Sequence, residues 1–211
     1  MEELKFKLGI LDEYQDDIDD FLHFFENDFE IVIIEPFDNQ DEIIQKILDA
    51  DLDAIAIDYK LMEHNTNISF NGDVIYNSLV DRLYDFPAFI LTNYVPDASK
   101  TNIKDEFKII PKRWMKAGST EGVDLIEKIK LSITKYKKRI DDYEKELLTL
   151  IHKKNNDKLS AKEEARLIEL DSILEKTIDK KDSIPKQWKK EESEISKLIK
   201  LAEDIIKKEK K

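Results

Sequence analysis

Up to about residue 110 the chain alternates between two hydrophobic patterns. Short, nearly unbroken apolar runs predict strands covered on both faces, as in a parallel sheet. Segments with apolar residues every three or four positions predict amphipathic helices. Strands are expected at Phe6–Leu11, Glu30–Glu35, Asp53–Asp58, Pro87–Thr92 and Phe107–Ile110. The first expected helix is Asp16–Glu26, with Ile18, Phe21, Leu22 and Phe25 inward. The second is Asn39–Asp49, with Ile43, Ile44, Ile47 and Leu48 inward. The third is Gly72–Tyr84, with Val74, Ile75, Leu79 and Leu83 inward. Met62–Asn71 is polar and aperiodic and reads as a long loop, while Val95–Asp105 reads as a short or broken helix. Five alternations with short connections predict an α/β fold: a five-stranded parallel, doubly wound sheet with right-handed crossovers.

The pattern changes after Thr120. Ile126, Ile129, Ile133, Tyr136, Ile140, Tyr143, Leu147 and Leu150 recur at alternating steps of three and four, a heptad seam. One helix is expected to run to about Lys153, about 50 Å at about 1.5 Å per residue. It is too long to lie wholly on a small sheet. Asn155–Asp157 reads as a turn, and Ser160-Ala-Lys-Glu163 as a capping box opening a second helix striped by Leu167, Leu170, Leu174 and Ile178. Asp182–Pro185 breaks the chain before a third helix, with Ile195, Leu198, Ala202 and Ile205 inward. The expectation is an antiparallel α-helical coiled coil, closed within the chain or shared with a second copy. The division is 1–135 for the α/β part and 136–211 for a helical extension continuous with its last helix.

Charge sharpens this division. The net charge is −12. Residues 1–130 hold 29 acidic and 13 basic side chains, and the remainder 18 acidic and 22 basic. The first part repels nucleic acid, and the lysines of the second are interleaved with glutamates as on a solvated helix face. No helix-turn-helix spacing or concentrated basic face is present, so a nucleic-acid partner is not expected. The absence of cysteine excludes disulfides, thiolate metal sites and a cysteine nucleophile. With four glycines and no glycine-rich fingerprint, a glycine-built nucleotide cradle is disfavoured. No apolar run is long enough for a membrane span, and Met1-Glu-Glu does not open a signal peptide, so a cytoplasmic protein without a membrane partner is expected.

The candidate chemistry lies where the strands end. In a parallel sheet all the carboxyl ends share one edge. Strand one ends at Asp12-Glu13, strand three at Asp58, strand four at Thr92, and Lys112 follows strand five. Two carboxylates about 4 Å apart repel by roughly 4 kcal/mol at an effective dielectric of about 20. Three of them call for a cation or raised pKa values. Oxygen ligands alone favour Mg²⁺, held here by Asp12, Glu13 and Asp58. Thr92 and Lys112 would contact a phosphoryl group, which suits transfer onto a carboxylate.

These residues resemble the receiver domains of two-component response regulators. The resemblance covers about Lys5 to Lys135: the acidic pair Asp12 and Glu13, the phosphoacceptor Asp58 in Ile57-Asp58-Tyr59-Lys60-Leu61, the switch residue Thr92 in Ile90-Leu91-Thr92-Asn93, and Lys112. It implies a flavodoxin-like sheet of order 2-1-3-4-5 and Mg²⁺-dependent acceptance of a phosphoryl group from a histidine kinase or phosphotransfer protein. Such a protein is a signalling acceptor rather than an enzyme, and its output would pass through helical protein–protein contacts or self-association. The chain departs from the family in placing Pro111 before the lysine, which leaves Lys108 and Arg113 as alternatives to Lys112. The loop after Asp58 is long and lacks the expected proline, and the aromatic switch position falls on Phe107 or Ile109. A non-phosphorylated pseudo-receiver acting as a scaffold is therefore the alternative. A Mg²⁺-dependent phosphatase or nuclease is a further rival, weakened by the lack of a second general acid near Asp58. His152, beside a turn with Lys153 and Lys154, reads as a helix-end cation rather than a phosphotransfer histidine. His23 reads as a helix-surface or partly buried side chain, His64 lies in the long loop, and Trp114 and Trp188 read as packing anchors.

Overall fold

The computed structural model describes residues 5–178 apart from 64, 104, 117 and 157. His64, Trp188, the break at Asp182–Pro185 and the third helix of the extension lie outside the described residues. Five strands, β1 (Phe6–Leu11), β2 (Phe29–Ile34), β3 (Ala54–Asp58), β4 (Ala88–Thr92) and β5 (Ile109–Pro111), form one parallel sheet of order β2-β1-β3-β4-β5. β3 and β4 are buried at every residue, as their unbroken apolar runs require. β2, at the sheet edge, is partly exposed, and Ile33 is left 44% accessible.

The sheet is covered on both faces. One face packs with α2 (Gln40–Asp49) and α3 (Gly72–Arg82) around Ile43, Ile47, Ile57, Ile75 and Leu79. The other packs with α1 (Gln15–Phe25) and the first half of α5 (Thr120–Asn156) around Phe21, Phe25, Phe89, Leu125 and Ile129. The phenylalanines of α1 meet one another and Phe29 in tilted and edge-to-face contacts, with the Phe21 and Phe25 centroids 4.6 Å apart. α4 is a single turn, Val95–Ala98, in agreement with its weak sequence pattern.

Two expectations are corrected here. Phe107 is not on β5: Glu106–Lys108 forms a 3-10 turn, the strand begins at Ile109, and the Phe107 ring is 96% exposed. Asp105 caps that turn by accepting the Phe107 N–H, a local bond that competes with extending the strand backward. Asn155 and Asn156 do not form a turn but complete α5, with the Asn156 side chain donating to the His152 carbonyl.

α5 has 37 residues, about 55 Å of helix. Leu125, Ile129, Ile133 and Tyr136 are buried, and the seam beyond is half-buried under α6 (Ala161–Ile178). The capping box forms as its residues require: the Ser160 N–H donates to Glu163 at 2.9 Å and the Glu163 N–H to the Ser160 hydroxyl at 3.4 Å. α6 returns antiparallel along α5. Glu163 meets Lys153, Arg166 meets Glu146, and Thr177 reaches Tyr136. Leu170 and Leu174 are 0% and 2% exposed, each burial stabilising by about 1.5–3 kcal/mol.

The hairpin is rooted at the amino-terminal edge of the sheet. Arg139 pairs with Asp85 ahead of β4, and the Tyr136 ring meets Phe86 edge-on at 5.7 Å. Lys137 pairs with Asp53 ahead of β3 and lies over the Phe6 ring at the start of β1. No helix among the described residues is long and apolar enough to cross a membrane.

Candidate functional site

Opposite the hairpin root, at the carboxyl ends of the strands, three side chains are oriented by one local device. Asp12 Oδ1 accepts the N–H of Tyr14 at 3.0 Å, Asp58 Oδ2 accepts that of Lys60 at 2.6 Å, and Thr92 Oγ1 accepts that of Tyr94 at 2.8 Å. Each bond reaches two residues ahead, the habit of Asp and Thr where a chain leaves regular structure. It fixes the side chain at the point where its strand ends. Asp12, Asp58 and Thr92 are the buried polar residues among those described, at 2%, 5% and 1% exposure.

Gly72 sets how closely α3 approaches the end of β3. A Cβ on it would lie 1.9 Å from the Asp58 carbonyl oxygen, so only glycine lets α3 start this close to the phosphoacceptor candidate. Its N–H donates to the Tyr59 carbonyl at 2.9 Å.

Lys112, in the 3-10 turn after β5, sends its ammonium into the carboxylates: 2.6 Å to Asp58, 2.9 Å to Asp12 and 2.5 Å to Asp17. Lys108 lies before β5 and Arg113 is exposed, so Lys112 is the cation at the carboxylates. Pro111 pairs with Thr92 at the last rung of the sheet, which brings Lys112 level with the other strand ends.

Asp12, Asp17 and Asp58 each offer a carboxylate oxygen within 4.8 Å of the others. Three carboxylates around one ammonium leave surplus negative charge in a buried place. Burial raises the Asp58 pKa most, Lys112 opposes it, and Asp12 and Glu13 add to it; the group is pushed up to about 7. Burial works against the Lys112 charge, but Asp58 and Asp12 outweigh it and hold the ammonium above its usual range.

A cavity of about 150 Å³ opens onto this cluster. Asp12, Glu13, Asp17, Asp58 and Lys112 line it from below, and Tyr14, Lys60, Glu63, Asn93 and Tyr94 complete it. Thus Asp12, Glu13, Asp58 and Lys112 all line one cavity. Thr92 stands at the same edge, its hydroxyl turned to the Tyr94 N–H rather than lining the cavity.

Sequence reasoning missed Asp17. It read as one acidic residue in the first turn of a helix, a place where carboxylates are common because they suit the helix dipole. The available signal was its distance along the chain: one helical turn after Asp12-Glu13, on a helix that starts at the same edge. His23 and His152 are both exposed on their helices, away from the cavity lining.

The donor set fits a hard divalent cation. It is all oxygen and carries surplus negative charge, and the Lys112 ammonium already rests among the three carboxylates as a cation would.

No protein-family model matches the chain, and no curated protein matches it in sequence. Solved structures do overlap it. The Salmonella typhimurium response regulator RcsB, in a structure titled for its conformational dynamism in DNA interaction, aligns at 13% identity and a TM-score of 0.46, covering 84% of this chain and 92% of that one. A second RcsB structure aligns at 13% identity and a TM-score of 0.40, covering 83% and 88%. A yeast Spc42 trimeric coiled-coil fusion aligns at 15% identity and a TM-score of 0.43, covering 70% and 95%. These overlaps are loose. The strand order and the all-parallel register themselves define the class: a receiver-like, flavodoxin-type α/β sheet, here continued into a helical hairpin.

Proposed function

We propose that the chain is a signalling protein whose sheet accepts a phosphoryl group on Asp58. The observation that carries this reading is the Lys112 ammonium lodged between Asp58, Asp12 and Asp17 beneath an open cavity. Asp12, Asp17, Asp58 and the adjoining Glu13 would hold Mg²⁺, which supplies charge neutralisation when bound. In the transfer an Asp58 oxygen attacks phosphorus as the donor's bond to phosphorus breaks, and the bonding pair leaves with the donor group, a histidine nitrogen of a kinase or phosphotransfer protein. Lys112 contributes a fixed positive charge beside the new acyl phosphate. Thr92, at the same sheet edge, carries a hydroxyl proton that can be donated to a phosphoryl oxygen. The protein is then a stoichiometric acceptor, and the helical extension contacts a helical partner or a second copy.

The test is labelling with phosphoramidate and Mg²⁺. Wild type is expected to take up one phosphoryl group per chain and Asp58→Asn none; equal labelling of the two removes Asp58 from the role. A second reading, a pseudo-receiver scaffold, is favoured by the exposed Phe107, which leaves β5 without the aromatic side chain the receiver resemblance implies. It predicts no change in Trp114 fluorescence with Mg²⁺ and beryllofluoride in a Trp188→Phe background.

A further inference from the structure

The floor and the rim of the cavity differ in burial and chemistry. Asp12 and Asp58 are buried, Lys112 is nearly so, and all three are fixed by several bonds each. Across the opening, the Tyr94 hydroxyl donates to Glu63 at 2.8 Å, and the Lys60 ammonium lies 5.0 Å from the Tyr94 ring centroid. Glu63 and Lys60 belong to the long 59–71 loop after β3, whereas Tyr94 belongs to the turn after β4. The loop's second half is secured by the buried Ile68 and Phe70 and by Ser69, which donates twice to Asp38. Its first half is anchored by the buried Tyr59 and Leu61, which leaves Met62 and Glu63 exposed beside the cavity. The Tyr94 end of the contact is itself held, because its N–H is bound by the Thr92 hydroxyl.

We propose that Glu63 and Tyr94 form a hydrogen-bonded strap across the mouth of the Asp58 cavity, holding the 59–71 loop down and limiting how fast a phosphoryl donor reaches the carboxylate. The strap stands on the geometry alone; the donor gate rests on the phosphoacceptor reading. The Thr92 hydroxyl links the two. If it turns into the cavity, it releases the Tyr94 N–H, and the strap loses its anchor on β4. With Phe107 exposed to solvent, this path from Thr92 to the loop replaces one through an aromatic side chain on β5.

The experiment compares full-length wild type, Tyr94→Phe and Glu63→Gln. Tyr94→Phe keeps the ring and removes the hydroxyl; Glu63→Gln keeps the shape and removes the charge. Amide hydrogen exchange without added ligand is expected to quicken about five-fold in the 59–71 loop of Tyr94→Phe, and by less in Glu63→Gln, whose amide oxygen can still accept from the hydroxyl, with α2 unchanged. Unchanged loop exchange in both variants overturns the strap. Labelling with phosphoramidate and Mg²⁺ is then expected to be about five-fold faster in Tyr94→Phe than in wild type, with Asp58→Asn as the blank. Faster exchange without faster labelling overturns the gate. An unlabelled wild type overturns the phosphoacceptor reading and the gate with it, while the exchange result still decides the strap.

Discussion

The two edges of the sheet treat charge in opposite ways. At the carboxyl edge one buried ammonium faces three carboxylates, and the group is left with too much negative charge. At the amino edge and along the hairpin, charges are matched and largely in water: Arg139 with Asp85, Lys153 with Glu163, Arg166 with Glu146. Exposed pairs of this kind contribute little, because solvent screens them and holding long side chains costs entropy. The hairpin is therefore held by Leu170, Leu174 and the Tyr136–Phe86 contact, and its ion pairs select the register. The carboxyl edge is the reverse: its polar groups are buried, close together and expensive. The difference separates a site from a scaffold within one chain.

Removing Lys112 breaks this contrast most severely. Lys112→Met leaves two buried carboxylates and the partly exposed Asp17 with no cation and should cost about 3–5 kcal/mol at pH 8 in urea unfolding, with Mg²⁺ recovering a large part. If Mg²⁺ recovers nothing, the carboxylates do not form a cation site. On the hairpin, Leu170→Ala should cost about 2–4 kcal/mol through the lost burial and the cavity left behind, without altering phosphoryl labelling. Lost labelling would show that the hairpin and the cavity are coupled.

A pH series sharpens the comparison further. Because the Asp58 pKa in the folded chain is raised to about 7, the folded state binds the extra proton between about pH 4 and pH 7. The corresponding stability is fully present below about pH 4 and is lost as pH rises through 7. Chelator-treated wild type should therefore weaken across this window. Asp58→Asn should flatten the profile and be about 1–3 kcal/mol more stable than wild type at pH 8. A profile that rises with pH would mean that Lys112 fully compensates Asp58. The smallest effect is expected from Arg166→Ala, a change in melting temperature of no more than about 2 °C by calorimetry.

Most of the fold was legible because hydrophobic period is a local property. The unbroken Ala54–Ile57 run announced a central strand, and the three-and-four spacing from Ile126 to Leu150 announced a helix that outruns the sheet. Errors fell where a local bond competes with the pattern: Asp105 capping a turn beneath Phe107, and Asn155 and Asn156 continuing a helix they were expected to end.

Of the site, the sequence by itself determined that acidic groups end β1 and β3, that Thr92 ends β4 and that a lysine follows β5, because strand ends are set by neighbouring residues. It did not determine that Asp17 joins them, that Lys112 rather than Lys108 or Arg113 fills the centre, or that Glu63 meets Tyr94 across the opening. Those contacts join residues between 31 and 100 positions apart, and only strand order and the starting direction of α1 bring them within hydrogen-bonding reach. Likewise, Ser160 and Glu163 declared a helix start, but its return to the amino edge depended on Leu170 and Leu174 finding a buried place against the rest of the fold.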